Sequence, residues 1–277
     1  LEVHEAMDWA DLFANRYNVL YDNVLWAAAN AAMAEMAAAI GVDGRPYRAA
    51  AQDVARKIDL LLWVGPEAPK DFDWLLVHRR EWLYPIRHAE VVLARRPYYL
   101  PYVAYRSYAD RCDVLGNLLA VLYGVADEAK ANAILDYLHA VGLAAPYPIR
   151  VLYPAVRPGD PDWREYYRGR GLNLPHHYHN GGIWPFVGGF YVAALVRAGR
   201  QSEAEEHLAR LAAVNRLGQR QPWEFPEWCH GLSGQPMGFA FQTWSAAMYL
   251  YAYQAVRQGA VQGLPTLAPD ASPSDRR

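Results

Sequence analysis

In the segment Glu224-Phe-Pro-Glu-Trp-Cys-His-Gly231, two carboxyl groups stand beside a tryptophan, a histidine and a glycine, with the period of neither a helix nor a strand. Such a stretch reads as a presenting loop, and loops held by rigid helices are where reactive groups concentrate. Near the other end His4, Glu5, Asp8, Trp9 and Asp11 crowd into a second polar and aromatic stretch, Leu1 to Asn18. Two separated carboxyl groups can break a glycosidic bond. One stays protonated and releases the leaving oxygen, while the other activates water or attacks the sugar. Aromatic neighbours such as Trp9 and Trp228 would desolvate a carboxyl and raise its pKa, the condition for an acid still protonated near neutrality. Asp8 and Glu227 have the types and surroundings for this pair. On residue type alone the other roles stay open: Asp8 capping a helix, and Glu227 pairing with an arginine.

His176-His-Tyr-His-Asn-Gly-Gly-Ile-Trp-Pro185 invites a metal reading. Zinc, however, wants four converging ligands at familiar spacings, and no CxxC or HExxH pattern accompanies these histidines. No metal site is expected, and the histidines read as hydrogen-bonding groups in a polar cleft. Gly181 and Gly182 let the backbone approach a ligand closely. Trp184 offers a flat face for a sugar ring, or equally packs the start of the helix that follows.

The chain has 277 residues, of which 53% are hydrophobic and 13% aromatic, enough to bury a large core. A net charge of −2, from 27 basic and 29 acidic residues with no long basic run, argues against nucleic acid or an acidic membrane as partner. Two cysteines, Cys112 and Cys229, make neither a disulfide framework nor a zinc pattern and lean toward a reducing, cytoplasmic setting. No apolar run reaches membrane-spanning length, and Leu1-Glu-Val-His is not a signal peptide.

The elements that must position these loops are mostly helical. An Ala-rich run predicts a helix over 19–40 ended by Gly41, and an apolar stripe predicts another over 45–62. Further helices are expected from Cys112 to Tyr123, from Asp127 to about Val141, over 182–198, over 202–214, and from about Phe239 to Arg257, the last read as a long buried helix. The stretch 74–109 fits a short strand pair or an irregular aromatic wall. Residues 146–175 form a long loop, of the kind usually functional or mobile. Seven or eight helices with few strands make the class mainly α, a helical toroid or layered array, with one domain over 1–262 and a disordered tail over 263–277.

Four motifs in sequence order, Cys112-Asp-Val-Leu-Gly-Asn-Leu-Leu-Ala120, Tyr178-His-Asn-Gly-Gly-Ile-Trp-Pro185, Phe225-Pro-Glu-Trp-Cys-His-Gly231 and Gln242-Thr-Trp-Ser-Ala246, resemble glycoside hydrolases of the (α/α)6-barrel kind. The likeness is to the neutral/alkaline invertases of family 100, to family 63, and to bacterial amylo-α-1,6-glucosidase or glycogen-debranching-like proteins. The resemblance implies Glu227 as catalytic base and Asp8, in Ala6-Met-Asp8, as acid, with Asp11 in reserve. It implies inversion of configuration at an α-linked glucoside, no metal or organic cofactor, and a small carbohydrate substrate: sucrose, a glycosylglycerate or an α-1,6-glucan. Trp9, Asp113, Asn117, His179, Asn180, Trp184, Gln242 and Trp244 are the candidate sugar contacts. The alternative is a non-catalytic carbohydrate-binding or interaction scaffold of the same fold. A six-pair toroid has twelve helices, so the chain is expected to be the C-terminal part of a longer barrel or to associate through an open edge. On that expectation Leu20, Val24 and Leu25 would face solvent unless covered, and a homo-oligomer or the preceding part of the same chain would cover them.

Overall fold

The structure is a computed structural model and describes residues 1–65, 72–78, 80–93, 96–169, 171–265 and 267. In chain order β1 (Asn18–Val19) runs straight into α1 (Leu20–Ala39), followed by α2 (Arg45–Leu62), α3 (Phe72–His78) and α4 (Arg80–Val92). Next come β2 (Tyr102–Ala104), β3 (Ser107–Tyr108), β4 (Cys112–Asp113), α5 (Val114–Tyr123) and α6 (Glu128–Ala140). The remainder is β5 (Leu152–Tyr153), α7 (Tyr166–Gly169), α8 (Pro185–Arg197), α9 (Gln201–Asn215), β6 (Trp228–Cys229), β7 (Pro236–Met237) and α10 (Thr243–Gln258). The expected tail lies, but for a few residues at its start, outside the described residues.

The helices fall into two kinds by burial. In α5 every residue from Val114 to Leu122 is buried, and in α8 nearly all of Pro185 to Val196, so both are surrounded by protein. By contrast α6 buries Ala131, Ile134, Leu135 and Leu138, and α9 buries Ala204, His207, Leu211 and Val214, single stripes of helices that back onto one layer. Packing follows: α1 lies against α2 and α5, α5 against α6 and α8, and α8 against α9 and α10. The inner row is therefore α1, α5, α8, α10, with α2, α6 and α9 behind it, the paired layers of a helical toroid. A Cβ on Gly189 would strike the Met248 backbone, so α8 and α10 approach closely through that glycine.

Local chemistry sets the boundaries. Asp113 caps α5 by accepting from the Gly116 N–H, and Asp127 caps α6 by accepting from the Lys130 N–H. Within 74–109 the structure holds α3 and α4 as well as the short strand pair β2–β3, which joins β1 in one antiparallel sheet. Pro85 inside α4 breaks the helical pattern the sequence would otherwise show. The last helix starts at Thr243 rather than Phe239. The Phe241 N–H donates to the Glu224 carbonyl and the Gln242 N–H to that of Phe225, holding 239–242 outside the helix with Phe241 at φ +61°. It is also only partly buried: Ser245, Ala252 and Ala255 face inward while Leu250 and Tyr253 are exposed.

The 146–175 loop is pinned rather than loose. Arg111 pairs with Asp160, the Tyr102 hydroxyl donates to Asp162, and Arg164 makes a two-pronged bond to Glu5 at 2.9 and 3.0 Å. Leu20 and Val24 do not face solvent: both are fully buried, Leu20 against the Gly116 turn of α5, and Leu25 is half-buried. The exposed apolar side chains of α1 are instead Trp26, Met33 and Met36, with Ile40 just beyond it.

Candidate active site

Each inner helix is entered from a segment that carries candidate residues, and these segments meet. Trp9, ahead of α1, packs edge-on against His179 (4.6 Å) and Trp184 (5.7 Å), both ahead of α8, and against Phe186 in its first turn. Phe186 in turn contacts Trp244 in the first turn of α10, and Tyr178 packs on Trp184 and Trp228. One aromatic cluster thus links the N-terminal loop, the histidine segment and the Glu227 loop. Helix N-termini gathered at one end also bring their exposed N–H dipoles to the same place.

The Glu227 loop is held by its own backbone. β6 pairs with β7, Ile183 and Cys229 exchange hydrogen bonds at 2.7 and 2.8 Å, and the Glu227 N–H donates to the Phe239 carbonyl. The Phe239 N–H donates back to Glu227 Oε2 at 2.9 Å, which fixes that half-buried carboxylate. Glu224, the other carboxyl of the motif, serves the loop's own structure, because its buried oxygens accept the N–H groups of Gln219, Arg220 and Gln221. Those bonds, led by Gln219, hold its pKa below the ordinary value.

Gly238 lets the loop close on Glu227. It sits at φ +70°, and a Cβ there would collide with Glu227 Oε2 and the Trp228 indole. Gly238→Ala should therefore push the carboxylate off its position and lower kcat by about 10²-fold, the scale set by a misplacement of about 1 Å. The left-handed backbone would add about 1–2 kcal/mol of destabilisation. Unchanged kcat in a folded variant would show that this seating of Glu227 does not matter.

At the other end of the cluster Asp8 is half-buried. Its Oδ1 accepts from the Ala10 N–H at 3.0 Å and its Oδ2 from Asn15 at 2.8 Å. Desolvation nonetheless outweighs these bonds and raises its pKa above the ordinary 3.8. Two further carboxyls lie within electrostatic reach. Asp22 on α1 is raised to about 6 and Asp113 to about 7, both by burial first and by the charge of Asp8 second. Asp11 is exposed, and the Tyr178 hydroxyl, which feels the charges of Glu227 and Asp11, is pushed up to about 12, chiefly by burial.

The other candidates divide by what already occupies them. Asn117 is fully buried and spent on the backbone of Tyr99 and Asp113, and Asn180 is spent on Val156 and Asn173. Trp184 is only 4% exposed and stacks on His179 at 4.9 Å, so it is wall rather than platform. His179 is buried with both ring nitrogens lacking a partner, and burial lowers its pKa to about 3, so it is a neutral imidazole at pH 7. Trp9 Nε1 is likewise buried without a partner. Gln242 is half-buried at the cap of α10. Trp244, 46% exposed, is an open aromatic face at the site, and Phe239 and Phe241 add two beside Glu227 that the sequence pattern places in the helix. Asp22 and Tyr178 were also missed, although Tyr178 stands inside the histidine motif. His176 and His177 turn toward His230 while His179 turns to Trp184, and no group of three or more metal-ligating side chains occurs among the described residues. No helix there is long and apolar enough to cross a membrane.

Residues 98–259 match the family model described as alkaline and neutral invertase. Cytosolic invertase 1 of Oryza sativa subsp. japonica is 31% identical over 161 residues, 56% of this chain and 27% of that protein. Alkaline/neutral invertase E, chloroplastic, of Arabidopsis thaliana is 32% identical over 143 residues, 50% of this chain and 22% of that one. The matched part is thus about a quarter of the length of these relatives. Among solved structures, the family 63 mannosylglycerate hydrolase of Thermus thermophilus aligns with TM-score 0.58 at 16% identity over 85% of this chain and 45% of that one. A bacterial glucoamylase complexed with acarbose aligns with TM-score 0.56 at 14% identity over 90% and 35%. Both support the toroidal fold.

Proposed function

The chain belongs to the alkaline and neutral invertase family of glycoside hydrolases, and we propose that it hydrolyses an α-linked glucoside with inversion, Asp8 serving as acid and Glu227 as base. One observation carries this reading. Asp8 adjoins Trp9 and Glu227 adjoins Trp228 in a single aromatic cluster, the first with its pKa raised above the ordinary value by desolvation, the second held by a backbone N–H through Oε2. Asp8 donates its proton to the glycosidic oxygen as the bond to the anomeric carbon breaks. Glu227 takes a proton from a water that attacks that carbon from the opposite face, so the product is the opposite anomer. Trp244, Phe239 and Phe241 supply apolar faces for the sugar, and the uncharged His179 forms part of the wall. The two buried free cysteines and the cytosolic relative agree with a reducing compartment.

The test is proton NMR of fresh hydrolysis mixtures from sucrose, mannosylglycerate and isomaltose. The expected first product from an α-glucoside is β-glucose. Release of α-glucose would overturn the inverting mechanism, and absence of turnover across the panel would favour the non-catalytic scaffold.

A further inference from the structure

Beside the segment 150–157, a cavity of about 310 Å³ is lined by Arg111, Arg150, Arg157, His176, Tyr153 and Asp160 among others. Its walls carry three guanidinium groups against one carboxylate. Asp160 is already engaged, its Oδ2 accepting from Arg111 Nη2 at 2.8 Å and from the Arg157 backbone N–H at 2.8 Å. Arg150 places Nη2 on the Gly142 carbonyl at 2.7 Å, and Arg111 places Nη1 on the Pro154 carbonyl at 3.4 Å. The Nε–H groups of Arg111 and Arg150 are buried in the wall without a protein partner and with almost no surface open to the cavity. Guanidinium cannot shed its proton to relieve the repulsion.

Three cations less one anion leave the walls two charges positive. From this charge and the convergence of three guanidinium groups on one cavity we infer that it binds a phosphate-type dianion, as free phosphate or as a phosphomonoester. A tetrahedral oxyanion offers acceptors to several guanidinium forks at once, which a monoanion such as chloride or acetate does not. Arg157 is exposed and its side chain could swing onto the ligand without disturbing the wall. His176 borders the same cavity, and its carbonyl accepts the Gly231 N–H, so the site abuts the rear of the Glu227 loop without containing a group assigned to hydrolysis.

The experiment is calorimetric titration of the chain with sodium phosphate and, separately, glucose 6-phosphate at constant ionic strength, with thermal midpoints measured in parallel. Saturable one-to-one binding is expected, with a midpoint that rises with ligand concentration. Arg157→Gln should weaken it about 10- to 100-fold, the loss of one contact between charged groups. Arg150→Gln should do the same if it folds; because Arg150 also holds the Gly142 carbonyl, the Arg157 variant decides. Tighter binding of glucose 6-phosphate would assign the site to a phosphomonoester, and equal binding to free phosphate. No saturable binding and no midpoint shift up to about 10 mM of either ligand, or binding that Arg157→Gln leaves unchanged, would overturn the proposal. No substrate is present in the assay, so its outcome is independent of whether Asp8 and Glu227 catalyse hydrolysis.

Discussion

Glu227→Gln should lower kcat by about 10²–10⁴, the contribution of a positioned general base, while leaving KM little changed. Glutamine has the same shape, and its amide oxygen can accept the Phe239 N–H that Glu227 Oε2 accepts at 2.9 Å, so the loop should keep its seat. What is lost is the ability to take a proton from water, a deficit felt only in the transition state. Steady-state kinetics on the best substrate measures the drop. Binding of a non-hydrolysed analogue should persist, since the aromatic faces of Phe239, Phe241 and Trp244 are untouched. A variant that turns over at the wild-type rate would remove Glu227 from the chemistry. Glu224 in the same motif provides the internal contrast: its carboxylate is consumed by three backbone N–H groups, so its loss would disturb the fold of the loop before it touched any substrate.

Which parts of this were legible in the chain follows from what encodes them. Helices α1, α2, α5 and α6 could be bounded closely because local signals mark their ends, Asp127 capping α6 and Gly41 closing α1 in the left-handed region. The start of α10 could not, because Phe239 to Gln242 are apolar or helix-tolerant in type and are held out of the helix by bonds to residues 224, 225 and 227. Periodicity sees no such partner. The same limit explains Asn117 and Asn180. Their types suit a sugar hydroxyl, yet both complete backbone bonding between segments distant in sequence. Asp22 was missed for the converse reason. It sits in the first turn of α1, where an acidic residue needs no explanation, and only the fold places it within the field of Asp8 and Asp113. The buried state of Leu20 and Val24 likewise depends on α5, over ninety residues away in the sequence.

Asp8→Asn is expected to separate the role of acid from that of base. With alkyl or sugar leaving groups kcat should fall by about 10²–10⁴, because the departing oxygen is no longer protonated. With α-glucosyl fluoride, whose leaving group needs little protonation, most of the rate should return, a rescue not expected for Glu227→Gln. In the wild type the acid works only while protonated, and the raised pKa of Asp8 extends that range toward neutrality, so kcat should decline as pH rises through it. Asp8, Asp22 and Asp113 interact, so the limb observed belongs to the three together. Stability gives an independent reading. Each of the three has a folded pKa above its ordinary 3.8, so the fold binds protons more tightly than the unfolded chain. Their favourable contribution is complete below the unfolded value and is lost as pH rises through the folded ones, the last at about 7 for Asp113. Above that pH the cluster is a set of repelling, poorly solvated charges. Removing one of them in Asp8→Asn should raise the thermal midpoint at pH 8 and do little at pH 4, values bracketing the titration range at about these points. A variant less active on sucrose, restored on the fluoride and more stable in alkali is what an acid with a pKa raised by burial predicts. If the fluoride is cleaved as slowly as sucrose, Asp8 is not the acid, and Asp11, whose charge reaches Tyr178 as that of Glu227 does, takes its place as the residue to substitute.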